Sequence, residues 1–134
     1  MRDRGSVVLI KNNKICLIKR NIDDIVYYVF PGGGIEPSES PRECAIREAY
    51  EELGVKVKIH KSIGTVDYCG TQYFFLSEII EGTFGTGVGE EFSIQNRNRG
   101  TYTPVWIELD RLASLDVRPK EIVLKVQSLS DNKY

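Results

Sequence analysis

The 134-residue chain contains few of the side chains that hold soft or borderline metal ions. Its three cysteines form no CxxC pair, and the chain has a single histidine. An odd and scattered set of cysteines indicates neither a disulfide framework nor a zinc site. We therefore expect a protein of a reducing compartment, with the cytoplasm as the simplest location.

A large charge excess and long apolar runs are also missing. The formal net charge is −1, so the basic surface typical of a nucleic-acid-binding protein is not indicated. The longest apolar stretches, such as Val7–Ile10 and Tyr73–Leu76, are far shorter than the roughly 20 residues that span a bilayer. These absences predict a protein that binds neither nucleic acid nor membrane.

Hydrophobic periodicity predicts strands and helices in one domain over residues 1–134. The segments Gly5–Lys11 and Lys14–Lys19 are rich in β-branched residues and flank Asn12-Asn13, which predicts a β-hairpin. The other predicted elements are strands over Val26–Phe30, Val55–Ile59, Ile63–Tyr68, Gln72–Ile80 and Thr103–Leu109, and helices over Ser40–Leu53 and Arg118–Leu129. Their order predicts helices packed on a mixed sheet.

The boundaries of the first helix are marked by the residues at its two ends. Ser38 or Ser40 can act as the N-cap, Pro41 suits the first turn, and Gly54 predicts the C-terminal stop. At 100° per residue, one side of this helix is apolar and the opposite side is acidic. The apolar side, which we interpret as the core face, contains Ile46, Ala49, Tyr50 and Leu53.

The acidic side of this helix carries Glu48, Glu51 and Glu52. Carboxylates three and four residues apart repel one another, by a few tenths of a kcal/mol per pair. They also lie near the C-terminal end of the helix, where the macrodipole disfavours negative charge. A hard cation such as Mg²⁺ or Mn²⁺ would reverse this balance. The alternative is a solvated acidic face with Arg47 as a surface partner.

The glutamates belong to a longer pattern, G-x5-E-x7-R-E-x2-E-E-x-G, completed by an aliphatic residue. Its fixed positions are Gly33, Glu39, Arg47, Glu48, Glu51, Glu52 and Gly54, with Val55 as the aliphatic residue. The segment Gly33–Val55 resembles the Nudix box, the signature of the Nudix hydrolase family. One position departs from it, because Ala49 stands where the family usually has a larger aliphatic residue.

This resemblance implies a fold of the α/β (α+β) class, an α/β/α sandwich around a mixed β-sheet. It also implies hydrolysis of a nucleoside diphosphate linked to another group X, with Mg²⁺ as cofactor and Mn²⁺ as the alternative ion. Carried over by position, the metal ligands would be the Gly33 carbonyl and the carboxylates of Glu48, Glu51 and Glu52. Glu48 would be a ligand, a general base, or both. Glu39 and Arg47 would brace the loop and the helix.

Outside the box, the resemblance predicts one more carboxylate on a later loop. Glu90 and Glu91 are the candidates, with Glu91 taken as the metal ligand, and solvent-exposed loop charges are the alternative. Contacts with the substrate are predicted at Gly34, Tyr73 and Phe75, although aromatic residues in strands usually belong to the core.

The expected substrate is inferred from sequence features outside the Nudix box. No proline lies between Pro41 and Pro104, which argues against the ADP-ribose group, while the short chain resembles the MutT-like nucleoside triphosphate pyrophosphatases. Tyr73 lies 18 residues after Val55, a spacing that resembles the dinucleoside polyphosphate group, so a substrate of that kind is an alternative. A nucleotide-sugar hydrolase and a non-catalytic nucleotide-sensing domain are also compatible with the sequence. A small-molecule nucleotide is the expected partner, and a homodimer is left open.

Overall fold

The structure, a computed structural model, describes residues 2–85 and 100–131. Within these residues, eight strands form a mixed sheet that is accompanied by two α-helices and a short 3-10 helix. The strands are β1 (Arg4–Lys11), β2 (Lys14–Ile22), β3 (Ile25–Val29), β4 (Gly32–Gly34), β5 (Val55–Asp67), β6 (Thr71–Gly82), β7 (Thr101–Glu108) and β8 (Val117–Arg118). The helices are α1 (Pro41–Leu53) and α2 (Lys120–Asp131), and the 3-10 helix is Leu109–Ser114.

The predicted hairpin at the start of the chain is confirmed. Asn12 and Asn13 both have positive φ, 53° and 63°, and asparagine tolerates this left-handed conformation better than most residues. The described pairing of β1 with β2 is confined to the two residue pairs next to this turn. Beyond them β1 pairs with β4 and β6, whereas β2 pairs with β3 and β7. The two strands therefore diverge, and a cleft opens between them.

Two hydrophobic clusters cover the two faces of the sheet. Side chains alternate along β1, so that Val8 packs in one cluster and its neighbours Val7 and Leu9 pack in the other. The first cluster, here the α2-side core, includes Ile122, Val123 and Val126 of α2. The second, here the α1-side core, includes Ala45, Ala49 and Leu53 of α1. The sheet is thus enclosed by one helix on each face, which confirms the expected α/β/α sandwich.

The ends of α1 are fixed by local hydrogen bonds. Ser40 is the N-cap: its side chain accepts a hydrogen bond from the Glu43 N–H, and the Glu43 carboxylate accepts one from the Ser40 N–H. Gly54 ends the helix with φ 77°, and its N–H donates to the Tyr50 carbonyl. Both boundaries were predictable because each depends on residues within one turn.

Four other elements differ from the prediction. The segment expected to form two strands is the single strand β5, which stays continuous because it absorbs irregularities in its pairing with β6. The glycine strand β4, the 3-10 helix Leu109–Ser114 and the strand β8 were not predicted, and Arg118, expected to begin the last helix, lies in β8. In residues 2–85 and 100–131, no helix has the length and apolar character needed to cross a membrane.

Candidate active site

Helix α1 approaches the sheet through small side chains. Cys44, Ala45 and Ala49 are fully buried, and the prediction that Ala49 faces the core is confirmed. The same prediction is wrong for Ile46 and Tyr50, which are 38% and 56% exposed. The prediction was based on large apolar residues, whereas a helix that packs this closely on a sheet requires small residues at the contact. The buried side of α1 is therefore rotated away from Tyr50.

The two acidic residues next to this small-residue face are buried with it. Glu48 is 8% exposed and Glu52 is 5% exposed, so placing them on a side of the helix away from the core is wrong. The Glu51 side chain is 40% exposed at the edge of the cleft. Buried carboxylates need partners that offset their lost hydration. This burial excludes the alternative of a fully solvated acidic helix face.

The glycine strand β4 supplies the space in which these carboxylates lie. The Gly32 N–H donates a hydrogen bond of 2.7 Å to the Glu52 Oε1 atom. A Cβ atom on Gly33 would overlap the Glu48 carboxylate, and a Cβ atom on Gly32 would overlap the Ser6 side chain. The missing side chain at Gly33 therefore lets the Glu48 carboxylate approach the β4 backbone directly, whereas the missing side chain at Gly32 makes room for Ser6 of β1.

Arg47 connects the acidic residues to β4 and to the loop before the helix. Its guanidinium donates to both carboxylate oxygens of Glu39, at 2.7 and 3.0 Å. The Nη1 atom lies 3.0 Å from Glu48 Oε2 and 3.3 Å from both oxygens of Glu51. The Nη2 atom donates to the Gly34 carbonyl at 3.1 Å. One guanidinium thus fixes the relative positions of the loop, the strand and the helix.

The charged state of this network follows from the same contacts. Hydrogen bonds from Arg47 lower the pKa of Glu39 to about 2, against burial, which acts in the opposite direction. The hydrogen bond to Glu39 in turn raises the pKa of Arg47 above its ordinary value. The pair is therefore ionised throughout the neutral range.

Cys44 lies beneath the carbonyl groups of β4. Its Sγ atom is 3.3 Å from the Gly33 carbonyl oxygen and 3.5 Å from that of Gly34. Burial raises the pKa of the Cys44 thiol to about 11. The thiol is protonated at neutral pH and can donate a weak hydrogen bond to these carbonyls.

The acidic residues form one wall of a cleft of about 1170 Å³. We define the acidic wall as Gly32–Gly34 with Glu48, Glu51 and Glu52. The cleft is also lined by arginines from three other parts of the sheet, namely Arg2, Arg4, Arg20 and Arg118. These arginines were not identified from the sequence, because they are far apart along the chain and share no local pattern. Only the pairing of the strands brings them to one surface.

The residues predicted to contact the substrate are placed differently from one another. Gly34 lines the cleft. Tyr73 and Phe75 pack in or against the α1-side core, and the structure does not bring them to the cleft. Their neighbours Gln72 and Phe74, whose side chains point to the other face of β6, line it instead. The predicted loop carboxylates Glu90 and Glu91 lie outside the described residues.

The donor atoms of the acidic wall match a hard divalent cation in chemistry. Carboxylate and backbone carbonyl oxygens are the protein ligands that Mg²⁺ and Mn²⁺ prefer. In the part of the chain that the structure describes, no three acidic, histidine or cysteine side chains converge as a preformed metal site. Glu48 and Glu51 instead share the Nη1 atom of Arg47. A cation would therefore compete with Arg47 for these oxygens.

Comparison with known proteins adds four similarities, one to a family model, one to a curated relative and two to solved structures. A family model described as the NUDIX domain matches residues 1–125. The human diphosphoinositol polyphosphate phosphohydrolase 3-alpha is 48% identical over 40 residues, which are 30% of this chain and only 24% of that protein. A NUDIX hydrolase from Nitrosomonas europaea has a TM-score of 0.76 at 15% identity, over 98% of this chain and 90% of that one.

A structure of MutT, described for Aliivibrio salmonicida and Vibrio cholerae, is similar as well. Its TM-score is 0.70 at 19% identity, and the match covers 93% of this chain and 94% of that one. At such identities the structural matches establish a shared fold. The match to the human protein spans about a quarter of its length, so it does not extend to that protein as a whole.

Proposed function

The chain belongs to the Nudix family, and we propose that it hydrolyses a phosphoric anhydride bond in a nucleoside diphosphate linked to a group X. The observation that carries this proposal is the acidic wall: two buried carboxylates, Glu48 and Glu52, lie directly against a glycine strand in an open cleft. Such an arrangement is costly unless a positive charge neutralises it. Arg47 supplies part of that charge, and a bound cation would supply the rest.

Nudix hydrolases generally use divalent metal ions, and this chain has the oxygen donors for one. Glu48, Glu51, Glu52 and the Gly33 carbonyl would hold Mg²⁺, or Mn²⁺ in its place, with Glu91 as a further candidate ligand. When bound, such an ion neutralises diphosphate charge and lowers the pKa of coordinated water.

The residues of the chain would have separate tasks around that ion. Glu52 ties α1 to the backbone of Gly32 through its 2.7 Å hydrogen bond. Arg47, held by Glu39, orients Glu48 and Glu51. Glu48 would accept the proton of the attacking water, because its carboxylate lies in the cleft beside Gly33.

For the substrate, we propose a nucleoside triphosphate cleaved in the manner of the MutT-like pyrophosphatases. The similarity to a MutT structure supports this choice through the fold alone. The name of the human relative, a diphosphoinositol polyphosphate phosphohydrolase, supports a second candidate, a more densely phosphorylated substrate. Dinucleoside polyphosphates and nucleotide sugars are also candidate substrates. We place the activity in the cytoplasm, as the cysteine pattern favours.

The test is hydrolysis of a nucleotide panel with Mg²⁺, scored by chromatographic identification of the products. The panel contains canonical and oxidised nucleoside triphosphates, diadenosine polyphosphates, a diphosphoinositol polyphosphate, ADP-ribose and nucleotide sugars. Wild-type protein is compared with Glu51→Gln and with Glu108→Gln, which replaces an exposed glutamate of β7. Because Glu51 is partly exposed, its substitution removes a ligand with little effect on folding.

We expect turnover by the wild type and by Glu108→Gln, and a loss of at least about 100-fold in Glu51→Gln. Equal turnover in Glu51→Gln would contradict the assignment of the acidic wall. Nucleotide binding without any product from the whole panel would instead support a nucleotide-sensing domain.

A further inference from the structure

We propose that the wall of the cleft containing Arg20 and Arg118 binds a phosphate group of the substrate that lies outside the hydrolysed diphosphate. This inference rests on the proposed function, and it narrows the substrate class to molecules with at least one phosphate more than a nucleotide sugar contains. Nucleoside triphosphates and other polyphosphorylated molecules meet this requirement, whereas ADP-ribose and nucleotide sugars do not.

The arginines of this wall alternate with tyrosines across four strands. In strand β2, Arg20 is paired with Tyr27 of β3 on one side and with Tyr102 of β7 on the other. The Arg20 Cζ atom lies 3.8 Å from the Tyr102 ring centroid and 5.7 Å from that of Tyr27. The Arg118 Cζ atom lies 4.1 Å from the Tyr27 centroid. We call this row, Tyr102–Arg20–Tyr27–Arg118, the arginine–tyrosine ladder.

The ladder positions its guanidinium groups before any ligand arrives. Cation–π contacts with two neighbouring strands restrain Arg20, which is half-buried. Arg118 is restrained by Tyr27 and by two hydrogen bonds to the Asp116 carboxylate, at 3.1 and 2.9 Å. Restraint of long side chains in the free protein reduces the entropy that is lost when a ligand binds.

The ladder is better suited to a phosphate than to a nucleobase. A base would bind by stacking on a ring face, but guanidinium groups lie over Tyr27 from the two strands that flank β3, and Arg20 covers Tyr102. Such a surface offers N–H donors and permanent positive charge. It offers no hydrogen-bond acceptor, because a guanidinium group has none. Phosphate oxygens accept several such hydrogen bonds at once.

The two acidic residues near Arg118 do not cancel this preference. Asp116 accepts two hydrogen bonds from Arg118, while a guanidinium has five donor hydrogens in all. Glu121 lines the cleft at the start of α2 and is exposed, where water screens its charge. Arg4 lines the same cleft and donates to the Gly32 carbonyl at 3.3 Å, which continues the positive surface toward the acidic wall.

The experiment compares the binding of α,β-methylene ADP and α,β-methylene ATP in the presence of Mg²⁺, by titration calorimetry. The methylene bridge replaces the oxygen of one anhydride bond in both probes, and ADP and ATP differ by one phosphate. Proteins are the full wild-type chain, Arg20→Gln, Arg118→Gln and the control Arg111→Gln. Arg111 is exposed in the 3-10 helix and does not line the cleft. Thermal melting verifies that each variant is folded.

We expect the wild type and Arg111→Gln to bind the ATP analogue at least about 10-fold more tightly than the ADP analogue. In Arg118→Gln and Arg20→Gln this ratio should fall below about 3-fold. The proposal is overturned if the ratio is unchanged in Arg118→Gln, or if the wild type shows no preference. If Arg20→Gln fails to fold, Arg118→Gln decides alone, because Arg118 is exposed.

Failure of this inference can be separated from failure of the proposed function. If the chain binds both probes but hydrolyses no true substrate, the ratio of the two affinities can still be measured, and only the proposed hydrolase activity is refuted. If the chain hydrolyses nucleotides but the ratio of the two affinities is unchanged in the arginine variants, only the phosphate-binding role of the ladder is refuted.

Discussion

The acidic wall and the arginine–tyrosine ladder face one cleft but are built differently. The acidic wall comes from a single stretch, Gly32–Glu52, in which a glycine strand and the next helix are tied together by Arg47. The ladder comes from four strands, of which β2 and β3 are consecutive while β7 and β8 lie far along the chain, and strand pairing aligns its side chains. Substitutions at the buried positions of the acidic wall should therefore disturb packing and chemistry together, whereas those in the ladder should mainly alter binding.

The largest effect on stability is expected from adding one methyl group to β4. Gly33→Ala would force its Cβ atom against the Glu48 carboxylate, which is buried and paired with Arg47, whereas the nearest neighbour of a Cβ atom at Gly34 is the end of the exposed Arg2 side chain, at 2.6 Å. We expect Gly33→Ala to lower the free energy of unfolding by about 3 kcal/mol and Gly34→Ala by less than about 1 kcal/mol. Urea denaturation measures both. Equal losses would show that Gly33 and Glu48 are not tightly packed.

A smaller effect should separate two neighbouring glutamates. Glu52→Gln weakens the charge-assisted hydrogen bond from the Gly32 N–H and buries an amide, at a cost of about 2 kcal/mol. Glu51→Gln affects a side chain that is 40% exposed and should cost less than about 0.5 kcal/mol. Thermal and urea unfolding of both variants provide the comparison. If Glu51→Gln were the more destabilised variant, the assignment of Glu52 as the more buried of the two glutamates would be wrong.

The ion pair of Glu39 with Arg47 predicts a pH-dependent contribution to stability. Arg47 lowers the pKa of Glu39 from 4.5 to about 2, so the folded state favours the ionised carboxylate. This contribution is complete above about pH 4.5 and is lost as the pH falls toward about 2. Since the pair is partly solvated, we expect Glu39→Gln to cost about 1 kcal/mol at pH 7.

Urea denaturation of wild type and Glu39→Gln between pH 7 and pH 3 measures this contribution. The difference between the two proteins should shrink as the pH is lowered below 4.5, the value for an unperturbed Glu39. Glu108→Gln, which replaces an exposed glutamate of β7, serves as the control for general acid effects. A difference that stays constant or grows toward low pH would contradict the assigned ion pair.

A small change in stability is expected in the ladder. Tyr102→Leu keeps an apolar side chain but removes the ring that lies 3.8 Å from Arg20. We expect a loss of about 0.5–1 kcal/mol in the free energy of unfolding. The preference for the ATP analogue should nevertheless decrease, because Arg20 would no longer be restrained. Loss of stability without any change in that preference would make the ladder purely structural.

The same contrast explains what could be predicted from the sequence. The caps at Ser40 and Gly54 and the hairpin at Asn12-Asn13 each depend on neighbouring residues, and the box residues lie within the single stretch Gly33–Val55. The orientation of α1 could not be predicted from its large apolar residues, because Cys44 and Ala45 face the sheet instead. Side-chain size at the closest approach, and not hydrophobicity alone, sets the buried side.

The arginine–tyrosine ladder was not predictable for a different reason. The pairing of Arg20 with Tyr27 and Tyr102 depends on the register of β2 against two strands. Side chains alternate along β6, which places Phe74 in the cleft and Phe75 in the α1-side core. An error of one residue in the predicted register would exchange these two positions. Long-range pairing carries this information, and no local pattern reports it.

The most direct test of the acidic wall as a metal-dependent reaction centre is the binding of Mn²⁺, followed by electron paramagnetic resonance in wild type, Glu51→Gln and Glu108→Gln. We expect saturable binding by the wild type and Glu108→Gln, and at least about 10-fold weaker binding by Glu51→Gln. Unchanged affinity in Glu51→Gln, or no binding by the wild type with a nucleotide present, would contradict the assignment of this wall.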